Sequence, residues 1–375
     1  MTSHQRATGV ALVGALALTA ASMQAAFADP ATDQLRSEIT GTGIFGRNTV
    51  AHLAGYGDVG FASVQDGTRS FSAANFNPIF HFQYKDFLFF ETELGVRTEA
   101  EGGTMVELEY ANLNYFVNDA IIVFGGKFIV PIGYFKQNLH PSWINKFASA
   151  PPGFGHDAVG APTSDVGAGA RGGFFMGSVK ANYAFYLGNG PRLELNEAGD
   201  EIEMVEFEGA TSNADDTLFF GGRFGLSPIA NLQLGVSAGS SKVAVEAPGG
   251  LEPTRSYSVQ GFDAAFQYRG IDVRGEYIQQ KVGELASSVA PEAAKWTAQY
   301  AQAAYRFPGT GWEPVVRWGK VESPHPDQQV KQSAIGINYW FAANSVVKLD
   351  YERNNGEAGT PNDADQVLVQ FAYGF

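Results

Sequence analysis

The sequence predicts an all-β fold, a transmembrane antiparallel β-barrel of 16 strands with a long third loop folded into its lumen. From residue 48 to the C terminus, segments of about ten residues alternate apolar and polar side chains. The connections between them are alternately short and long, as in bacterial outer-membrane barrels. The composition agrees, because 45 Gly, 29 Phe and 15 Tyr favour strands, tight turns and aromatic girdles.

The N-terminal residues have the pattern of a cleaved export signal. Arg6 precedes an apolar run at 10–21. Ala26-Phe27-Ala28 then has the small-residue pattern after which signal peptidase cuts. A membrane anchor is the weaker alternative, since a spanning helix needs roughly 20 apolar residues. We therefore expect a signal peptide at 1–28, a periplasmic lead-in at 29–47 and one barrel domain at 48–375.

The charge and the remaining composition exclude two classes of protein. The formal net charge of -14 becomes -15 when Arg6 leaves with the signal, and such an acidic chain cannot neutralise a row of nucleic-acid phosphates. No apolar stretch of the mature chain is long enough for a spanning helix, so a helical membrane protein is excluded. The absence of cysteine fits an exported chain but is also common in soluble proteins.

Sixteen segments carry the alternation, and an even number closes a barrel whose two ends lie on the same side. A soluble β-sandwich is the alternative, but it has no reason to keep short and long connections on opposite sides. The tight turns are expected at 85–86, 118–119, 177, 227–228, 269–270, 308–311 and 342–343. The predicted strands are 48–61, 74–84, 87–98, 104–117, 119–130, 164–176, 178–188, 214–226, 229–241, 255–268, 270–281, 294–307, 312–322, 330–341, 344–354 and 364–375.

The last strand carries a directional pattern. Val367, Val369, Phe371, Tyr373 and Phe375 share one face, and the chain ends on Phe375. A terminal phenylalanine on such a strand resembles the signal by which the barrel-assembly machinery recognises outer-membrane barrels; an amphipathic edge strand is the alternative. Together with the export signal it predicts a location in the outer membrane, in contact with lipid and lipopolysaccharide.

The longest connection, Pro131 to Thr163, is rich in proline and aromatic residues, which are costly to leave in water. The segment that leads into it, residues 125–133 (GGKFIVPIG), resembles the phosphate-selective porin O and P family, in which a glycine-basic-phenylalanine strand runs into the loop that constricts the pore. The resemblance implies a homotrimeric channel with residues 131–163 as its constriction loop. A surface lid or a trimer contact is the alternative role for this loop.

The polar face of the strands indicates a charged lumen. Choosing the face opposite the apolar residues gives nine acids and nine bases, and such a balance resembles a general diffusion pore for small hydrophilic solutes and ions. The inward acids are Glu91, Glu93, Glu107, Glu109, Asp263, Asp272, Glu276, Asp350 and Glu352. The inward bases are Arg97, Lys127, Arg171, Lys180, Arg223, Arg274, Arg306, Arg317 and Lys348.

Selectivity is predicted from the residues nearest the constriction. Two loop lysines favour contact with a passing anion, whereas residues 189–213 carry seven acids against Arg192 and place a net charge of -6 at the outer mouth. That acidic segment either attracts cations, binds bridging divalent cations or is a merely solvated loop. The pore-lining candidates are Lys127, Lys136, Lys146, Arg171, Glu107, Glu109, Arg223 and Arg317, and the first four are the anion contacts.

Enzymatic and metal-dependent functions find little support. The only adjacent His-acid pair is His156-Asp157, and no nucleophile elbow or zinc-binding helix is present. We expect no catalytic residue, cofactor or metal. Besides a general diffusion pore, two alternatives stay open: an anion- or phosphate-selective channel, and a structural or adhesive barrel with a plugged lumen.

Overall fold

The computed structural model describes residues 48–99, 102–155 and 159–375, and sixteen strands within them close one antiparallel barrel. The predicted fold class is therefore confirmed. The expected signal peptide and the lead-in fall outside the described residues. In the part of the chain that is described, no helix is both long and apolar enough to cross a membrane.

Twenty strands are numbered here in chain order. Two pairs, β8 with β9 and β12 with β13, form small separate hairpins, and the other sixteen follow one another around the barrel. A short helix α1 spans Phe135–Asn138, and two 3-10 turns span Pro326–Gln328 and Pro361–Asp363. The strands are β1 Thr49–Val64, β2 Arg69–Tyr84, β3 Leu88–Thr98, β4 Thr104–Asn118, β5 Ile121–Ile129, β6 Ser164–Met176, β7 Val179–Gly188, β8 Arg192–Leu195, β9 Ile202–Glu206, β10 Phe219–Ile229, β11 Leu232–Val243, β12 Glu246–Ala247, β13 Gly250–Leu251, β14 Arg255–Tyr268, β15 Ile271–Val282, β16 Ala294–Tyr305, β17 Trp312–Glu322, β18 Val330–Ala342, β19 Ser345–Gly356 and β20 Gln366–Gly374.

Two local predictions are wrong. The tight turn expected at 227–228 lies inside β10, where the pairing with β11 shifts register between Leu226 and Ile229. That irregularity accommodates Pro228, which has no N–H to give to the ladder. The first connection is also short rather than long, because β1 and β2 continue pairing as far as Ser63 and Arg69 beyond a register shift near Asp58.

The outer face of the barrel is apolar. On β20 the side chains of Val367, Val369, Phe371, Tyr373 and Phe375 are each 37–43% exposed, whereas the intervening Gln370 and Ala372 are buried. The strand pairs with β1 to close the barrel. The predicted shared face is thus present, and the two-residue period of the strand assigns its other residues to the interior.

The long loop between β5 and β6 lies inside the barrel, as predicted. The backbone N–H of Gly133 donates to Ser237 Oγ at 2.9 Å, and that of Phe135 donates to Glu276 Oε2 at 2.9 Å. Further along, the N–H of Ala148 donates to Asp350 Oδ2 at 2.7 Å. These partners lie on β11, β15 and β19, so the loop follows the inner surface far from the strands that it connects.

Candidate functional site

The loop divides the lumen into two surfaces. We call the inward side chains of β15 to β19 the covered wall, because the loop lies against them. On that wall Arg317 and Glu352 have completely buried side chains and form an ion pair of 2.9 Å. Lys348 is also buried and donates to the carbonyl oxygen of Phe147 at 2.9 Å and to Gln370 Oε1 at 2.8 Å.

The covered wall is a polar network sealed by apolar packing. The loop supplies Lys146 to Glu313 at 2.7 Å and the Ser149 carbonyl oxygen to Arg317 at 2.9 Å. Deeper in the loop, Phe154 packs edge-on against Tyr300 with 5.2 Å between ring centroids. Buried charges are tolerated when partners replace the water they lose, so this wall is built as protein interior.

The second surface, which we call the open wall, consists of the inward side chains of β3 and β4 together with Arg171 on β6. Arg97 pairs with Glu107, and their side chains are 30% and 27% exposed. Arg171 lies 3.3 Å from Glu91, with 40% and 19% of the side chains exposed. These residues point inward like those of the covered wall, yet water reaches them.

A bulge concentrates carboxylates on the open wall. The pairing of β3 with β4 shifts between Glu93 and Leu94, so that β4 has one extra residue there. Such a bulge re-aims side chains. Glu107 pairs with the inward Gly95, and a Cβ atom on Gly95 would lie 3.0 Å from Glu109 Oε1. The two predicted acids, Glu107 and Glu109, therefore come together around one position of the wall.

The loop meets the open wall at Glu93. This carboxylate is buried and accepts a hydrogen bond of 2.8 Å from Tyr56 Oη. His140 of the loop has its Nε2 atom 3.8 Å from Glu93 Oε1. The open wall then carries Glu91, Glu93, Glu107 and Glu109 against Arg97 and Arg171. Four acids against two bases leave a formal charge of -2 with His140 neutral.

Lys127 does not face the lumen, which corrects the sequence assignment. It pairs with Ala111 and Val166 on the outward face, and its neighbour Phe128 is buried inside, 5.0 Å from the ring of Tyr186. The rule that apolar residues point outward fails here because this part of the lumen holds an aromatic cluster. The side chain of Lys127 lies against Gly209 instead, where an added Cβ would be 2.7 Å from its Cε atom.

The two loop lysines are engaged with the protein. Lys136 is buried and donates to the carbonyl oxygen of Gly155, and Lys146 donates to Glu313. Because Lys127 lies on the outward face, the four predicted anion contacts do not form one cluster. Arg223 and Arg317 face inward as predicted, but Arg223 is buried and makes two hydrogen bonds to Asp263, of 2.8 and 2.6 Å.

The acidic segment between β7 and β10 is a structured hairpin, β8 with β9, and not a plain loop. Buried Ile202 and Val205 join the apolar core of the lumen, and Gln328 on the far rim donates to Glu203 Oε1 at 2.6 Å. The two-residue alternation of acids with aliphatic residues in this segment was the available sequence signal. Partial burial, with Glu208 as the nearest carboxylate, raises the pKa of Glu206 to about 7.

Two further predictions concern chemistry. The pair His156-Asp157 lies outside the described residues. Within the described ranges, no group of three or more His, Asp or Glu side chains is arranged to hold a metal ion. The sequence expectation that the chain has no catalytic site stays a prediction.

Comparison with solved structures identifies the fold. The anion-selective porin from Comamonas acidovorans superposes with a TM-score of 0.59 at 14% identity, covering 87% of this chain and 100% of that one. A loop L8 deletion mutant of OmpT, an outer membrane protein of Vibrio cholerae, gives 0.58 at 9% identity, covering 88% and 100%. OmpF of Salmonella typhi in complex with daunomycin gives 0.56 at 14% identity, covering 88% and 98%. No family model and no curated sequence matches the chain.

The class of fold is therefore the 16-stranded barrel of outer-membrane porins. The identities are low, so the likeness extends to the fold and not to the solute of any one porin. Neither a family model nor a curated sequence supports membership of the phosphate-selective porin O and P family within that class.

Proposed function

We propose that this chain forms a water-filled channel in the outer membrane, through which small hydrophilic solutes and ions diffuse passively, with a weak preference for cations. The open wall carries this proposal. Its ion pairs, Arg97 with Glu107 and Arg171 with Glu91, point into the barrel and keep 19–40% of their side chains exposed. A row of inward charges in contact with water is what a diffusion pore needs.

The preference for cations rests on the excess of acids along the path. The open wall contributes a formal charge of -2, and the hairpin segment at 189–213 contributes -6 at the long-loop mouth. Fixed charge of one sign raises the local concentration of counter-ions. Screening limits the effect at physiological salt, where the Debye length is about 8 Å. A weak preference is therefore expected rather than strict selectivity.

The anion-selective alternative has lost its main support. It depended on Lys127, Lys136 and Lys146, of which the first lies on the outward face and the other two bond to Gly155 and Glu313. Only Arg171 of that set is half-exposed in the lumen. The resemblance of residues 125–133 to the phosphate-selective family remains a sequence motif, and its Lys127 lies on the outward face.

A barrel with a plugged lumen and a structural or adhesive role is the second candidate. Its supporting observation is the apolar core inside the barrel, where Trp296, Tyr257 and Phe154 are almost completely buried. This core extends beyond the covered wall and also includes Phe128 on β5 and Tyr186 on β7. The exposed ion pairs of the open wall favour the channel over the plug.

The proposed channel also implies an oligomeric state and a location in the membrane. The related fold includes a trimer form of OmpT from Vibrio cholerae, and we propose a homotrimer that contacts lipid and lipopolysaccharide through the apolar outer face. The terminal Phe375 would be the residue that the assembly machinery recognises. Chemical cross-linking of the folded protein tests the trimer, and a Phe375 deletion that still reaches the outer membrane at wild-type level would contradict the recognition.

The test is single-channel recording in a planar bilayer under a tenfold potassium chloride gradient. Wild-type protein should give ohmic steps with a small reversal potential of the sign for potassium preference. E107Q/E109Q should move that potential toward chloride, and R97Q should move it the other way, since each removes charge from the same patch. No conductance from folded protein would support the plugged barrel, and chloride preference in the wild type would restore the anion-selective alternative.

A further inference from the structure

Two histidines face each other across neighbouring strands. His52 on β1 and His81 on β2 are directly opposite in the register. Their Nδ1 atoms are 3.3 Å apart, the ring centroids are 5.6 Å apart, and the ring planes differ by only 5°. One ring nitrogen of each histidine thus faces the other.

The pair lies inside the barrel at its short-turn end. Leu53, the neighbour of His52, is on the outward face and 55% exposed, so the period of two places His52 inward. The turn that follows β2 is close by, since Lys85 N donates to the carbonyl oxygen of Asn48 at 3.0 Å. In the proposed channel this is the periplasmic opening.

The surroundings leave the pair accessible to a solute. The contact between the two rings is exposed to solvent. His81 packs on Phe89 with 5.3 Å between centroids, which limits the movement of its ring. On the next strand, the inward Glu91 pairs with His81 in the register and offers a carboxylate on the same face.

We propose that His52 and His81 together bind a divalent late first-row transition metal ion, with water completing the coordination. Two nitrogens held 2.0–2.1 Å from a tetrahedral metal are ~3.3 Å apart, which matches the separation seen here. The two nitrogens point toward each other, so binding one ion requires each ring to turn about its χ2 torsion, which is broad in histidine. Imidazole is a preferred ligand of copper, nickel and zinc, whereas manganese and magnesium prefer oxygen.

The order of affinities among divalent metal ions tests the proposal. Affinity for a site of nitrogen ligands rises from manganese through cobalt and nickel to copper and falls again at zinc. Binding at His52 and His81 should follow this order and should weaken as the pH falls through the range in which imidazole gains a proton. A hydrogen bond between the two rings, which is the competing explanation for the short distance, predicts neither behaviour.

The experiment uses untagged, folded protein, to which copper(II) or zinc(II) is added during calorimetric titration. One ion per chain should bind to the wild type, and H52Q and H81Q should each weaken binding at least tenfold. H140Q removes another inward histidine and should leave the affinity unchanged. All variants are first compared with the wild type by circular dichroism.

Electron paramagnetic resonance of the copper complex supplies a second readout that does not depend on affinity. Coupling to two imidazole nitrogens is expected in the wild type and in H140Q, and coupling to one in H52Q or H81Q. Equal binding by the wild type and the double variant H52Q/H81Q would overturn the proposal, as would the absence of binding in the wild type. Neither result depends on whether the barrel conducts.

Discussion

The covered wall and the open wall have the same secondary structure and the same alternation of charged residues, yet they are different environments. Arg317 and Glu352 on the covered wall are fully buried, whereas Arg97 and Glu107 on the open wall are about a third exposed. The difference comes from the loop at 131–163, which lies along the covered wall and meets the open wall at Glu93. The interior of this barrel is thus part protein core and part candidate channel, and an inward charge alone does not identify a pore residue.

The largest expected effect separates the two ion pairs by stability. R317M removes one partner of a buried pair and leaves Glu352 without its counter-charge, which should cost about 3–5 kcal/mol in the free energy of unfolding. R97M breaks a partly exposed pair and should cost about 0–1 kcal/mol. Urea unfolding of the folded barrel in detergent measures both. Equal losses in the two variants would contradict the division into two walls.

A smaller effect tests how closely the loop packs on the covered wall. Gly153 has φ +81°, and a Cβ added there would lie 2.6 Å from Ala298 Cβ and 2.8 Å from Val321 Cγ2. G153A should therefore destabilise the barrel by about 1–3 kcal/mol through overpacking and backbone strain.

Gly309 provides the matched control for that variant. It also has a positive φ, +72°, but nothing lies within 4 Å of the Cβ that alanine would add. G309A therefore measures the backbone strain alone. Urea unfolding should show a larger loss for G153A than for G309A, and equal losses would mean that the loop does not press on the wall.

The sequence predicted the barrel well because strand pairing is a local and repeated pattern. Alternation over sixteen segments identified the strands, and the inward residues Glu352, Asp350 and Lys348 followed from the same period of two. The register shift at Pro228 was not predicted, because a bulge changes the pairing at one residue without disturbing the alternation on either side.

The candidate site was less predictable because it depends on where the loop lies. Lys146 and Glu313 are 167 residues apart in sequence, and nothing in either segment indicates that they pair. Lys127 was misplaced since the aromatic cluster around Phe128 reverses the usual apolar-outward rule. Exposure of an inward charge is a property of tertiary packing, which the alternation of residues does not contain.

The most direct test of the two walls is the reaction of single cysteines with a charged methanethiosulfonate reagent during single-channel recording. The natural chain has no cysteine, so each variant carries one reactive site. E107C on the open wall should react and change the single-channel current, whereas A334C, buried on the covered wall against Phe147 of the loop, should not. A current that changes in A334C and stays constant in E107C would contradict the account.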